Sequence, residues 1–171
     1  AIVARGNYLS QDRLDIKYAI KELCRHMAKP RQRDWRRLIR LVKYLRGRER
    51  FVCKFDYQDK MMKLDVWTDT DYAGCRETRK STSGGIVKWG NHLLKGWSST
   101  QKVIALSSGE AEYYGIVKGS SEGIGSKNLL HDLGIDVRVR VHEDSEAARG
   151  VAQRIGSGKI RHIEVNQLWV Q

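Results

Sequence analysis

Three acidic stretches carry the residues whose types and spacing could do chemistry. The first is Leu64 to Gly74, LDVWTDTDYAG, where Asp69 and Asp71 follow an alternating run. The second is Ser107 to Tyr113, SSGEAEY, with Glu110 and Glu112. The third is VRVRVHEDS, a second alternating run ending at Glu143 and Asp144. Carboxylates fixed at strand ends and at the start of a helix can hold a hard divalent cation, which prefers oxygen ligands. The reading is that the three stretches converge.

The elements that must position them follow from periodicity. In the first stretch Leu64 and Val66 face one way and Asp65 and Trp67 the other, the pattern of a half-buried strand over Lys63–Asp69. Gly85–Trp89 and His92–Trp97 read as two strands joined by Gly90-Asn91, a hairpin signal. Ser107–Leu133 reads as helical, in one piece or two, with Ser107 or Ser108 as cap and Glu110 in the first turn. Gly115, Gly119 and Gly123 recur at every fourth position in it. They mark either a close approach to a neighbour or a weak, broken helix. Asp136–His142 is a fourth strand, Ser145–Arg154 a short helix, and Lys159 opens a further amphipathic segment. A meander followed by a strand–helix–strand step predicts a mixed sheet with helices packed on it.

Upstream, Ser10–Pro30 reads as a helix with Ile16, Ile20, Leu23, Cys24 and Met27 on one stripe. Arg33–Arg46 reads as a second, with Trp35, Leu38, Leu41, Val42 and Leu45 buried and Gly47 as its stop. These form a helical pair over 1–50. A linker, 51–62, contains a short strand at Phe51–Phe55, and the main domain spans 63–171. No internal repeat is present.

The chain has 171 residues, 40% hydrophobic and 30% charged, enough for a packed core. No apolar run reaches membrane-spanning length. The three cysteines, Cys24, Cys53 and Cys75, lack metal or disulfide spacing, so free thiols in a reducing intracellular compartment are expected. The start, AIVARGNYLS, lacks a signal peptide's apolar centre and a Met, as in a processed product or a fragment. The net charge is +12, and Lys29–Arg50 alone holds ten basic residues against two acidic. So concentrated a patch, with Arg33, Arg36, Arg37, Arg40 and Lys43 on one helix face, predicts a nucleic-acid partner.

TDTDYAG (Thr68–Gly74), RKSTSGG (Arg79–Gly85), WSSTQKVIALSSGEAEY (Trp97–Tyr113), EDSEAA (Glu143–Ala148) and KIRHIEV (Lys159–Val165), in this order, resemble the ribonuclease H domain of Ty1/copia-type retrotransposon polyproteins. The segment Gly6–Gly47 is similar to the end of the preceding reverse transcriptase. The resemblance implies a ribonuclease H-like α/β fold. It also implies cleavage of RNA in RNA–DNA hybrids with two magnesium ions, or manganese in their place. Asp69, Glu110 and Asp144 match three of the family's four metal-holding carboxylates, with Asp71 and Glu112 as the alternatives at the first two.

The family's fourth carboxylate follows a fifth strand on a last helix, and this sequence ends before either. The resemblance therefore implies a C-terminally truncated domain with an open sheet edge for another chain or segment to cover. Glu164 is a candidate substitute for the fourth ligand, while His142 and His162 read as structural. Two functions compete. One is a metal-dependent ribonuclease. The other is a domesticated, inactive module that binds RNA as a subunit of a ribonucleoprotein.

Overall fold

The computed structural model describes residues 1–156, 158, 162, 163 and 165–171. They form two compact units, Ala1–Lys54 and Phe55–Gln171.

The first unit departs from the expected helical pair. It begins with α1, Ile2–Leu9, in the stretch read above only for a leader. A 3-10 turn, Leu14–Ile16, leads into α2, Lys17–Cys24. The expected Ser10–Pro30 helix is thus broken at its start. Ser10 closes α1, its hydroxyl donating to the Asn7 carbonyl at 2.7 Å. Met27 lies past the end of α2 and is exposed.

Helix α3, Gln32–Gly47, matches the expected span. Ile16, Ile20, Leu23, Leu38 and Leu41 make the core of this unit. Trp35 and Val42 are exposed, against expectation, and Asp34 is buried instead. The buried sector of α3 is narrow, so residues at its margins face water. Arg13 ties the end of α3 down: it pairs with Asp15 at 2.8 Å and donates to the carbonyls of Arg48 and Glu49.

The second unit is a four-stranded mixed sheet flanked by helices. The strands are β1 (Lys63–Asp71), β2 (Thr82–Trp89), β3 (His92–Thr100) and β4 (Arg138–His142), in the order β3-β2-β1-β4. β1 and β2 pair antiparallel, as do β2 and β3, whereas β1 and β4 are parallel. The alternation of β1 is realised: Leu64, Val66, Thr68 and Thr70 are buried and the residues between them are not. The hairpin reaches further than expected, because Thr82 pairs with both Asp71 and Thr100.

Helix α4, Ser108–Asp132, is one continuous element capped by the Ser107 hydroxyl, which accepts from the Glu110 N–H at 3.1 Å. Its glycines allow close approach. A Cβ at Gly115 would stand 2.7 Å from Thr70 Oγ1, and one at Gly123 would stand 2.7 Å from Val139 and 2.9 Å from Val66. Gly119 lies on Thr68 in the same way. On its other side α4 packs on α5, Glu146–Gln153, through Tyr113, Ile116, Val117, Ala148 and Val151. A 3-10 segment, Val165–Val170, receives the Tyr113 hydroxyl at the Gln167 carbonyl, 2.7 Å.

Phe51–Phe55 forms no strand. The stretch that follows, up to Met62, is bound to the hairpin without regular structure. The Gln58 amide donates to the Trp89 carbonyl (2.8 Å) and accepts from the Asn91 N–H (2.9 Å). Trp89 Nε1 donates to the Met61 carbonyl at 2.8 Å. The cysteines are free, and no described helix is long and apolar enough to cross a membrane.

Candidate active site

The parallel pairing of β1 and β4 brings two acids to one level. Trp67 is opposite His142, so Asp69 and Asp144, each two residues further on, leave the same end of adjacent strands. Both are exposed. Between them sits Glu143. Its carboxylate accepts from the Thr68 hydroxyl at 2.8 Å and from the Asp144 and Ser145 N–H groups at 3.0 and 3.2 Å. Burial, then the neighbouring Asp144, raises its pKa.

The N-terminal end of α4 comes to the same place, because its glycines hold it against β1. A residue three positions before Gly115 shares the sheet-facing side of the helix. That residue is Glu112. Burial, then the charges of Glu143 and Asp69, push its pKa up to about 7. Its Oε2 is buried with no hydrogen-bond partner; the Thr70 hydroxyl lies beside it and opposes the rise without reaching hydrogen-bond geometry.

Glu110 is placed differently. Its carboxylate is buried and accepts from the Leu106 N–H (2.9 Å) and the Tyr114 hydroxyl (3.1 Å), with His162 Nε2 at 2.9 Å. It fastens the start of α4 to neighbouring segments. The carboxylates that the structure brings together are Asp69, Glu112, Glu143 and Asp144. The glycine phase was the signal that could have pointed to Glu112, and Glu143 gave none beyond its place beside Asp144.

The remaining candidates are also placed. Asp71 is the last residue of β1, and a side chain at Gly74, past the turn that follows, would strike its carboxylate. His142 stacks on Trp67, rings 4.7 Å apart and 7° from parallel, and its Nε2 lies 2.7 Å from Asp65 Oδ1. Glu164 lies outside the described residues. Arg33, Arg36, Arg37, Arg40 and Lys43 are all exposed on α3, in the other unit.

The donor set fits a hard divalent cation in chemistry and charge: oxygen ligands, net negative, with one buried oxygen unpartnered. Among the described residues, no three His, Cys, Asp or Glu side chains are already gathered around one point.

The four-stranded mixed sheet, its flanking helices and the acids at its strand ends define an α/β domain arranged as a ribonuclease H-like fold. The chain is 35% identical over 136 residues to the retrovirus-related Pol polyprotein from transposon RE2 of Arabidopsis thaliana, a match covering 80% of this chain and 9% of that protein. To the Pol polyprotein from transposon TNT 1-94 of Nicotiana tabacum it is 29% identical over 161 residues, covering 93% of this chain and 12% of that one. To the RE1 polyprotein of Arabidopsis thaliana it is 35% identical over 134 residues, covering 78% and 9%. No family model and no solved structure matches. The chain is therefore a homologue of the Pol polyproteins of copia-type retrotransposons, and it spans about a tenth of their length.

Proposed function

We propose that the unit Phe55–Gln171 is a metal-dependent nuclease that cuts RNA in RNA–DNA hybrids, as part of a retroelement reverse transcriptase. The observation that carries this reading is that Asp69, Glu143 and Asp144 lie near enough to Glu112 to raise its pKa, where β1 and β4 end beside the start of α4. A half-buried carboxyl with a pKa near 7 among other acids is costly for the fold alone, and perturbed groups of this kind concentrate at functional sites. Asp69, Glu112 and Asp144 would hold magnesium, with Glu143 as a fourth carboxylate in place of the one expected after a fifth strand. Bound there, the metal would supply an activated water and stabilise the leaving oxygen. Glu110 acts as an anchor for the helix that carries Glu112. The basic face of α3 holds the nucleic acid by its phosphates, which gives affinity without sequence preference.

A second reading is favoured by the open arrangement of the acids and by that same basic face: a retroelement-derived module that binds RNA without cutting it. One experiment separates the two. The chain is incubated with an RNA–DNA hybrid and magnesium, beside Asp69→Asn and Glu112→Gln. Cleavage that is lost in both variants supports the nuclease. Tight, salt-sensitive binding with no cleavage in the parent protein overturns it in favour of the binding module.

A further inference from the structure

The acids Asp69, Glu143 and Asp144 open onto a cleft of about 610 Å³ whose other walls the reading above leaves unused. Its lining also includes Trp67 and His142 from the strands and Arg149 and Gln153 of α5. Ile116, Val141 and Ala152 add apolar lining. An apolar pocket of about 300–1,000 Å³ with a few placed polar groups is the usual form of a small-ligand site.

Two features indicate what it takes. The first is the aromatic pair. Trp67 and His142 are stacked, and the hydrogen bond from His142 to Asp65 fixes the imidazole in that orientation. Lys88 lies 5.8 Å from the Trp67 ring centre. A stack already held in place can receive a further flat ring at little ordering cost. The second is Arg149, the one permanent cation among the described lining residues. It pairs with Glu146 at 3.9 Å, whose side chain is 93% exposed, and such a pair holds the guanidinium weakly. A phosphate approaching Asp69, Glu143 and Asp144 is repelled, so a cation lining the same cleft is what would let a polyanion settle there.

We infer that this cleft seats one unpaired nucleotide of a single polynucleotide strand, its base against the Trp67–His142 pair and its phosphate on Arg149. A base inside a duplex is already stacked on both faces and cannot enter. The site thus favours a strand that is free, frayed or nicked next to the position presented to the acids. This inference rests on the reading that those acids act on nucleic acid, and it adds the form of strand they receive.

The test measures binding in EDTA, where nothing is cut. The full chain is titrated with a fluorescein-labelled RNA of about 12 nucleotides, free or annealed to its DNA complement. Trp67→Leu and Arg149→Gln should each weaken the free strand by about fivefold or more and leave the hybrid unchanged, and Arg149→Lys should recover part of the loss. A 4-thiouridine in the free strand should crosslink to the peptide containing Trp67 or His142. Arg149 is exposed, so its variants test the idea even where Trp67→Leu unfolds the sheet. Equal losses for strand and hybrid, or no loss for either, overturn the inference. If these binding losses appear but magnesium gives no cleavage, the nuclease reading fails and the nucleotide pocket remains. Cleavage with unchanged binding gives the reverse result.

Discussion

Glu110 and Glu112 lie on opposite sides of α4, two residues and about 200° apart. Glu110 is enclosed by hydrogen-bond donors, and Glu112 by other acids. One sequence motif, GEAEY, therefore holds an anchor and a carboxyl whose pKa is raised. Substituting each by its amide should separate the two roles. Glu110→Gln keeps one oxygen and replaces the other with a donor, so either the Leu106 N–H or the Tyr114 hydroxyl loses its acceptor, and the fold should be destabilised by about 1–3 kcal/mol. Glu112→Gln removes a charge from a repelling cluster. It should raise the melting temperature at neutral pH while abolishing hybrid cleavage. Thermal melts with parallel cleavage assays read both; a lower melting temperature for Glu112→Gln would show that its carboxylate stabilises the fold.

The acid cluster also makes stability depend on pH. Glu112 titrates near 7 in the fold and near 4.3 in the unfolded chain. Between those values the folded state binds more protons, so stability falls as pH rises. Glu143 is shifted in the same direction. Magnesium should offset the repulsion, so it should raise the melting temperature more at about pH 8 than at about pH 5. Asp15, paired with Arg13, and Asp65, held by Arg140 and His142, are shifted down. Their contribution is lost on the acid side, as pH falls through their lowered values. An equal effect of magnesium at both pH values would place the ion away from Glu112.

Two glycines of the same helix should respond oppositely to alanine. Gly119→Ala puts a methyl group into Thr68 and should cost about 1–3 kcal/mol despite the better helix propensity. Gly125 has nothing within 4 Å of a Cβ, so Gly125→Ala should stabilise by up to about 1 kcal/mol. Denaturant midpoints of the two variants check this directly.

On α3, reversing the charge of Arg36, Arg37, Arg40 and Lys43 should weaken nucleic-acid binding. It should also flatten the dependence of log affinity on log salt by roughly 0.9 per lost duplex phosphate contact. A slope equal to that of the parent protein would place the phosphate contacts elsewhere.

The sheet was legible because β1 alternates so regularly: a strand with Leu64 and Val66 on one face has only one way to sit on a core. The Gly90-Asn91 turn was legible because its positive φ suits glycine. Glu112 was harder to read. At the start of a helix, the choice between two acids depends on the helix phase against the sheet, and only the glycine contacts settle that phase. Helix α1 was missed because IVARGNYL buries no residue deeply and so carries little periodic signal. The Trp67–His142 pair was out of reach, since it depends on the register between strands more than seventy residues apart.

Gln58 gives a practical rule for dissecting the chain. It lies outside every helix and strand, yet it serves the hairpin turn as a side-chain clasp, and His92 Nε2 is 2.7 Å from the carbonyl of Asp56. A fragment begun at the first strand residue, Lys63, would keep the whole sheet but strip the turn of these partners. The Asn91 amide and the Trp89 carbonyl would lose their bonds to Gln58, and the Trp89 indole its bond to Met61. The functional edge of the second unit therefore lies upstream of its first strand, and a cut meant to release it belongs before Phe55.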